Sequence, residues 1–238
     1  MTGLGPVWRS VEEALAEIAD VYDRVNRFLS LGNDLSLRVR GLREVSIGDA
    51  RRVLDAGAGP GTLSKLVLRE NGRADLIALE PLWAMCERAK RIVSYRFSLV
   101  RGVFENAPFR DGVFDRVVTS FAIRDAIDLD AALSELHRVM KAGARLMICD
   151  ITKPDFRPLR VLFAVYWFTV APLLGTLAAG AKGLRVWFIY PTYVRWPSVR
   201  ELRSHVARRF EVLSFRWAIF RGAFSLVAQK AVPDQTSR

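Results

Sequence analysis

From residue 51 onward, short apolar runs alternate with longer stretches in which apolar residues recur every three or four positions. The first pattern predicts strands and the second amphipathic helices. Strands are expected at residues 52–56, 76–80, 97–101, 115–120 and 145–150, with helices at 62–69, 82–93 and 130–140 among them. Such alternation implies right-handed parallel βαβ units in a doubly wound α/β sheet, whose ligands sit beyond the carboxyl ends of the strands. Residues 198–208 predict a helix, with Ser198 and Glu201 as its capping box. Residues 210–217 and 224–230 predict an antiparallel pair that closes the sheet. Upstream, Val11, Leu15, Ile18, Val21, Tyr22, Val25 and Leu29 lie near helical spacing. They predict one helix over residues 10–31, capped by Ser10 with Glu13. A second helix is expected over 35–45. This leader, residues 1–47, is too short for a domain of its own and should fold over the ligand-binding edge of the 48–152 core. Residues 231–238 read as a frayed tail.

One segment breaks the alternation. Residues 161–181 carry no charge and are rich in Leu, Ala, Phe and Trp, a length that could cross a bilayer. Pro172, Gly175 and Gly180 interrupt it, and Tyr166 and Trp167 lie inside it rather than at its ends. An apolar lid over residues 153–197, dipping into a membrane surface or receiving a greasy substrate, is expected instead of a span. Charge adds a second hint. A net +11 and a sequence pI near 10.3 draw the chain to anionic surfaces. Acidic headgroups and nucleic acid both qualify, and so does a plain solvated Arg-rich surface. Cys86 and Cys149 are isolated, as are His137 and His205, so neither a metal site nor a disulfide framework is expected. Residues 1–9 show no basic-then-apolar signal pattern, and a cytoplasmic location is expected.

The chemistry concentrates at residues 51–61, an apolar run that ends in Gly57, Gly59 and Gly61 and leads at once into a helical pattern. Glycine suits a sharp strand-to-helix turn where a ligand touches bare backbone. Further on, the second strand ends in Glu80, a carboxylate placed to accept hydrogen bonds from both hydroxyls of a ribose. A tight turn with no ligand is the structural alternative. The spacing Asp55-x-Gly57-x-Gly59-x-Gly61 with no following Lys departs from dinucleotide and P-loop patterns. It resembles motif I of class I S-adenosylmethionine (SAM) methyltransferases.

Further motifs narrow the likeness. They are Tyr22-Asp-Arg-Val-Asn26 followed by Leu29-Ser-Leu-Gly32, Glu80-Pro-Leu-Trp-Ala-Met85, and the stretch from Gly102 to Asp115. Ser120-Phe-Ala-Ile-Arg-Asp125, Glu135-Leu-His-Arg-Val-Met-Lys-Ala-Gly143, Tyr166-Trp-Phe-Thr-Val-Ala-Pro-Leu-Leu-Gly175 and the stretches 188–197 and 220–223 extend it, with Lys230. Together they resemble the ubiquinone/menaquinone biosynthesis C-methyltransferase family. That resemblance implies a Rossmann-like sheet, mostly parallel with an antiparallel C-terminal strand. It also implies SAM as cofactor and methylation of a ring carbon in a lipophilic quinol such as demethylmenaquinol. Tyr22, Asp55, Gly57, Gly59, Gly61, Glu80, Pro81, Val103, Phe104 and Ser120 are then the cofactor residues. Asn26, one turn from Tyr22, would help to close over SAM. Arg124 would stabilise the ring oxyanion and Asp125 would act as base. For Arg124 an ordinary salt bridge to Asp128 or Asp130 is the alternative.

The chain departs from the family pattern at Pro60 in place of Thr, Val103 in place of Asp, Asp125 in place of Asn and Glu80 in place of Asp. Glu135 and Arg138 are expected to pair on a helix, His137 to pack, Cys149 to be inert, and Asp150 to face the substrate pocket. The implied partners are a lipophilic quinol, an anionic membrane surface and a second copy of the chain as a homodimer. RNA methylation is a weaker reading, since no added RNA module and no N-P-P-Y-type motif is seen. A non-catalytic, membrane-associated SAM-binding protein is another.

Overall fold

The computed structural model describes residues 8–93, 97–219 and 221–232. Residues 233–238 of the expected tail, Phe220 of the last motif and the first seven residues lie outside the described residues. Three helices lead: α1 (Trp8–Ile18), α2 (Tyr22–Leu29) and α3 (Asn33–Glu44). The core follows as β1 (Arg52–Ala56), α4 (Thr62–Glu70), β2 (Asp75–Leu79), α5 (Trp83–Val93), β3 (Phe97–Val100), β4 (Phe114–Ser120), α6 (Leu129–Val139) and β5 (Met140–Ile151). Next come α7 (Arg157–Val165), a π-helical turn over Tyr166–Val170, α8 (Ala171–Ala179), a 3-10 segment over Gly180–Phe188 and α9 (Ile189–Arg195). Helix α10 (Val199–Ala207) and strands β6 (Glu211–Ala218) and β7 (Ala223–Gln229) complete the chain.

The strands form one sheet in the order β3-β2-β1-β4-β5-β7-β6. Strands β1 to β5 run parallel, and β7 runs antiparallel to both β5 and β6. The apolar runs of β1, β4 and β5 are buried because helices cover both faces of the sheet. In α6, Leu129, Leu133 and Leu136 share a face and are almost wholly buried, each worth about 2 kcal/mol of transfer energy. Asp128 caps that helix, accepting from the amides of Asp130 and Ala131 at 2.9 and 3.1 Å. The capping box at α10 is formed, with the Ser198 amide donating to Glu201 Oε2 at 2.7 Å.

The leader differs from its prediction. Residues 10–31 are two helices rather than one, and Ser10 lies inside α1 instead of capping it. A straight helix of that length would run about 33 Å and carry its second half past the lid. The chain bends at Ala19–Val21 instead. Helix α1 buries Val11, Ala14, Leu15 and Ile18 against the returning arm of the lid, held there by Arg185–Glu17 at 2.6 Å and Lys182–Asp20 at 2.7 Å. Helix α2 packs on α8.

The apolar segment is a lid with two sides. By length and composition the helical stretch Arg157–Arg195 could cross a membrane. It reverses at Gly180, however, and Gly175 and Gly183 meet so closely that a Cβ on Gly183 would lie 1.8 Å from the Gly175 carbonyl oxygen. On its inner side Trp167, Ala171, Ala178, Val186, Phe188 and Ile189 join Val11, Leu15, Ile18 and Val25 in one cluster. Its outer side leaves Val161, Leu162, Val165, Phe168, Leu173 and Leu177 exposed. The far end is pinned to the sheet, where Trp196 Nε1 donates to the Ile151 carbonyl at 3.0 Å.

Candidate functional site

The order of the sheet reverses at β1, which lies between β2 and β4, and a cavity opens beyond their carboxyl ends. The β1–α4 loop forms its floor. Gly57 has φ +70°, and a Cβ there would lie 2.5 Å from Ala122 Cβ, so only glycine fits. The amides of Gly57 and Ala58 both donate to the Leu79 carbonyl, at 2.8 and 3.1 Å, which ties the β1 end to the β2 end. Glu80 accepts from the amides of Gly59 and Leu82 at 2.8 and 3.0 Å. Two such bonds fix the carboxyl group while each oxygen keeps a further lone pair for a ligand. Open space lies where a Cβ on Gly59 would point. Leu82, Met85, Phe104 and Ile127 supply apolar walls. An adenosine with a cationic side arm fits this set: apolar walls for the base, Glu80 for the ribose, and the carboxyl of Asp125 for positive charge.

A second cavity of about 470 Å³ lies between the core and the lid. Its walls are mainly apolar, from Leu29, Leu162, Phe163, Tyr166, Trp167 and Ile189 among others, and its polar residues are Asn26, Ser30, Asp34 and Arg124. Phe121 lines both cavities and forms part of the partition between them, its backbone held at φ +55°. Arg38 lies over the Phe121 ring, 4.8 Å from its centroid, and donates from Nε to Ser120 Oγ at 3.0 Å.

Arg124 sits between two carboxylates. Its Nη1 donates to Asp150 Oδ1 at 2.8 Å, and its Nε lies 3.6 Å from Asp125 Oδ1. Burial works against the guanidinium charge, but Asp125 and Asp150 outweigh it and hold Arg124 more firmly protonated than usual. Burial pushes Asp125 up to about 7, with Arg124 pulling it partly back and Asp150 adding to the rise. Asp150 is raised for the same first reason. Burial likewise lifts Glu80 to about 7, against the pull of its two amide bonds.

Most of the predicted cofactor residues come together. Tyr22, Gly57, Gly59, Glu80, Pro81, Val103, Phe104 and Ser120 line the first cavity. Asp55 and Gly61 do not. Asp55 is wholly buried beneath the loop, accepting from Ser64 Oγ at 2.6 Å. Gly61 starts α4 at φ +88°, where a Cβ would lie 2.5 Å from Val93 Cγ2, so its task is to let α4 pack on α5. Arg124 and Asp125 part company: Asp125 lines the first cavity and Arg124 the second. Asn26 lines the second cavity as well, not the first. The partner of Arg124 is Asp150, not Asp128 or Asp130; Asp128 caps α6, and Asp130 pairs with His205, Arg208 and Arg209. Asp150 is completely buried behind Arg124 and lines neither cavity. Glu135 and Arg138 pair at 2.8 Å, His137 packs edge-on to Phe210, and burial pushes the Cys149 thiol up to about 12. Sequence reasoning missed Arg38 and Asp34, and it gave no separate role to Ser30 and Phe121, which lie inside the quoted motifs. A signal was present in α3, whose buried positions 34, 37, 38, 41 and 42 follow helical spacing yet include two charged residues.

The raised carboxyls carry a stability consequence. Folded Glu80 keeps its proton to about pH 7, whereas an ordinary Glu releases it near 4.5. The folded state binds more protons between those values, so this group's contribution to stability is full below the window and lost across it as pH rises. Glu80→Gln is expected to match the ligand-free wild type near the acid end. By neutral pH it should exceed it by about 3 kcal/mol, measured by urea unfolding across the window. A constant difference between the two proteins would show that Glu80 is ionised throughout.

The profile of the ubiE/COQ5 methyltransferase family matches residues 7–207. A demethylmenaquinone methyltransferase of Thermus thermophilus is 31% identical over 208 residues, covering 84% of this chain and 94% of that protein. One from Bacteroides fragilis is 33% identical over 172 residues, 70% of each chain. Among solved structures, a SAM-dependent methyltransferase from Thermotoga maritima superposes with a TM-score of 0.64 at 18% identity, covering 92% of this chain and 99% of that one. The fold and the glycine loop agree with the family match along most of the chain: the protein belongs to the ubiE/COQ5 methyltransferase family and is a SAM-dependent methyltransferase.

Proposed function

We propose that this enzyme methylates a ring carbon of a lipophilic quinol of the demethylmenaquinol type, taken up from an anionic membrane surface. The observation that carries the reading is the second cavity. It adjoins the cofactor cavity across Phe121, has Arg124 among its few polar residues, and counts exposed Leu31, Leu162, Val165 and Val170 among its lining. Its mouth therefore opens on the apolar outer side of the lid. A ring can reach Arg124 while an isoprenoid tail stays in apolar surroundings. The relatives in Thermus and Bacteroides, named for demethylmenaquinone, support the same substrate class.

Bound SAM supplies a methyl group that is already electrophilic. The chain's own residues must hold the ring in line, exclude water and stabilise the charge that makes a ring carbon nucleophilic. Glu80 holds the ribose hydroxyls, and Arg38 offers a cation for the methionine carboxylate. Asp125, on the cofactor wall, balances the positive charge of the sulfonium. Arg124, kept protonated by Asp125 and Asp150, stabilises a ring oxyanion in the adjoining cavity.

The deciding experiment incubates the protein with labelled SAM and a lipid extract, with total RNA in parallel. Label is expected in an organic-soluble quinone identified by mass; label in RNA alone would overturn the proposal. Arg124→Lys keeps a charge opposite Asp150 but loses the planar fork. It is expected to lower kcat about 100-fold while SAM affinity stays within about twofold; unchanged kcat would remove Arg124 from the mechanism. For the membrane, exposed Arg24, Arg27, Arg157 and Arg195 lie on the elements that carry or flank the apolar face. The protein should co-sediment with phosphatidylglycerol vesicles more than with phosphatidylcholine vesicles, less so at high salt, and much less after Leu162→Asp with Leu177→Asp. Equal sedimentation of the double variant would exclude this face as the contact.

A further inference from the structure

We propose that Asp34 is the group that accepts the hydroxyl proton of the ring substrate. This assignment rests on the quinol reading above and gives a role to a residue that no motif indicated. A ring carbon beside a hydroxyl becomes nucleophilic as that hydroxyl loses its proton, so the substrate cavity needs an acceptor within reach of the ring. Three buried carboxylates surround the partition between the cavities, and they are not equivalent. Asp125 lines the cofactor cavity. Asp150 is inaccessible: its Oδ1 accepts from Arg124 Nη1 and from the Ile151 amide, both at 2.8 Å, and its Oδ2 from the Arg124 amide at 3.4 Å. Asp34 is the one carboxylate among the residues that line the apolar cavity, where Arg124 also lies.

Its setting suits the task. Asp34 Oδ1 accepts from the Ser30 hydroxyl at 3.0 Å and Oδ2 accepts from Arg38 Nη1 at 2.5 Å, which fixes the carboxyl group while each oxygen retains a lone pair. Arg38 is itself held by Ser120 Oγ and the Phe121 ring. One chain of contacts thus runs from the acceptor to the partition, so the ring and the cofactor are placed by the same side chains. The step balances as follows. The ring O–H proton passes to the Asp34 carboxylate while Arg124 stabilises the oxyanion. The ring carbon then forms its bond to the methyl group as the C–S bond breaks and the sulfonium becomes a thioether. Asp34 returns its proton to the ring oxygen, and the ring C–H proton is lost to water, which restores aromaticity with net release of one proton.

The test uses the full chain, labelled SAM and a prenylated naphthoquinol with an unsubstituted ring carbon, kept anaerobic. At saturating SAM, Asp34→Asn is expected to lower kcat about 100-fold or more and to flatten the fall of kcat toward acid pH. Asp34→Glu should restore that limb with reduced kcat. Ser30→Ala loosens the carboxylate without removing it and should lower kcat by less than about tenfold, a readout that does not depend on the Asn variant folding. Asp125→Asn, in parallel, should weaken SAM binding and leave the limb in place. Asp34→Asn retaining more than about a tenth of kcat, or keeping the acid limb, would overturn the assignment alone. A wild type that binds SAM but methylates no quinol would overturn it together with the proposed function.

Discussion

A guanidinium sealed from water is tolerated only where carboxylates meet it, and Arg124 meets two. The loop after β4 has to bring Arg124 to the end of β5, where Asp150 waits, and this sets how the two strand ends lie relative to each other. Asp125, the next residue, stays 3.6 Å from Arg124 Nε and lines the first cavity. Two adjacent residues thereby serve two compartments. Removing Asp150 would leave Arg124 with Asp125 alone, and removing Arg124 would leave two buried carboxylates without their cation. The pair is weak evidence for stability in its own right, but it fixes where the one cation among the described residues of the second cavity stands.

The core of the fold was legible because local patterns and tertiary structure agree there. Apolar runs in β1, β2, β4 and β5 could only be strands covered on both faces, and the alternate glycines before α4 marked the ligand loop. The leader was less legible. Its apolar positions keep helical spacing straight through Ala19–Val21, and the bend comes from packing against α8 and the 3-10 segment, which are distant in sequence. The site divided along the same line. Glycine and acid positions near β1 and β2 were readable because backbone geometry dictates them. Asp55 and Gly61 belong to the same motif, yet one supports Ser64 and the other admits the neighbouring helix, since spacing alone does not say which side of a loop the ligand takes. The partner of Arg124 was not readable either, because Asp150 comes beside it only once β4 and β5 pair.

The lid shows composition and topology giving different answers. Its length and hydropathy match a bilayer span, but a backbone reversal at Gly180 turns the same residues into a hairpin with an inner and an outer side. The inner side completes a core with α1 and α2. The outer side has no such partner among the described residues, and Leu162, Val165 and Val170, which line the second cavity, are exposed on it.

Helix α2 has a consequence for traffic through the enzyme. Its Tyr22 walls one cavity, its Asn26 and Leu29 wall the other, and Asp23 accepts from Thr62 Oγ1 on the far side of the glycine loop at 2.5 Å. A short rigid rod shared by two chambers cannot swing to admit one guest without altering the doorway of the other. The walls of the two chambers are thus joined through eight residues of one helix, so a change that reshapes one chamber reaches the other.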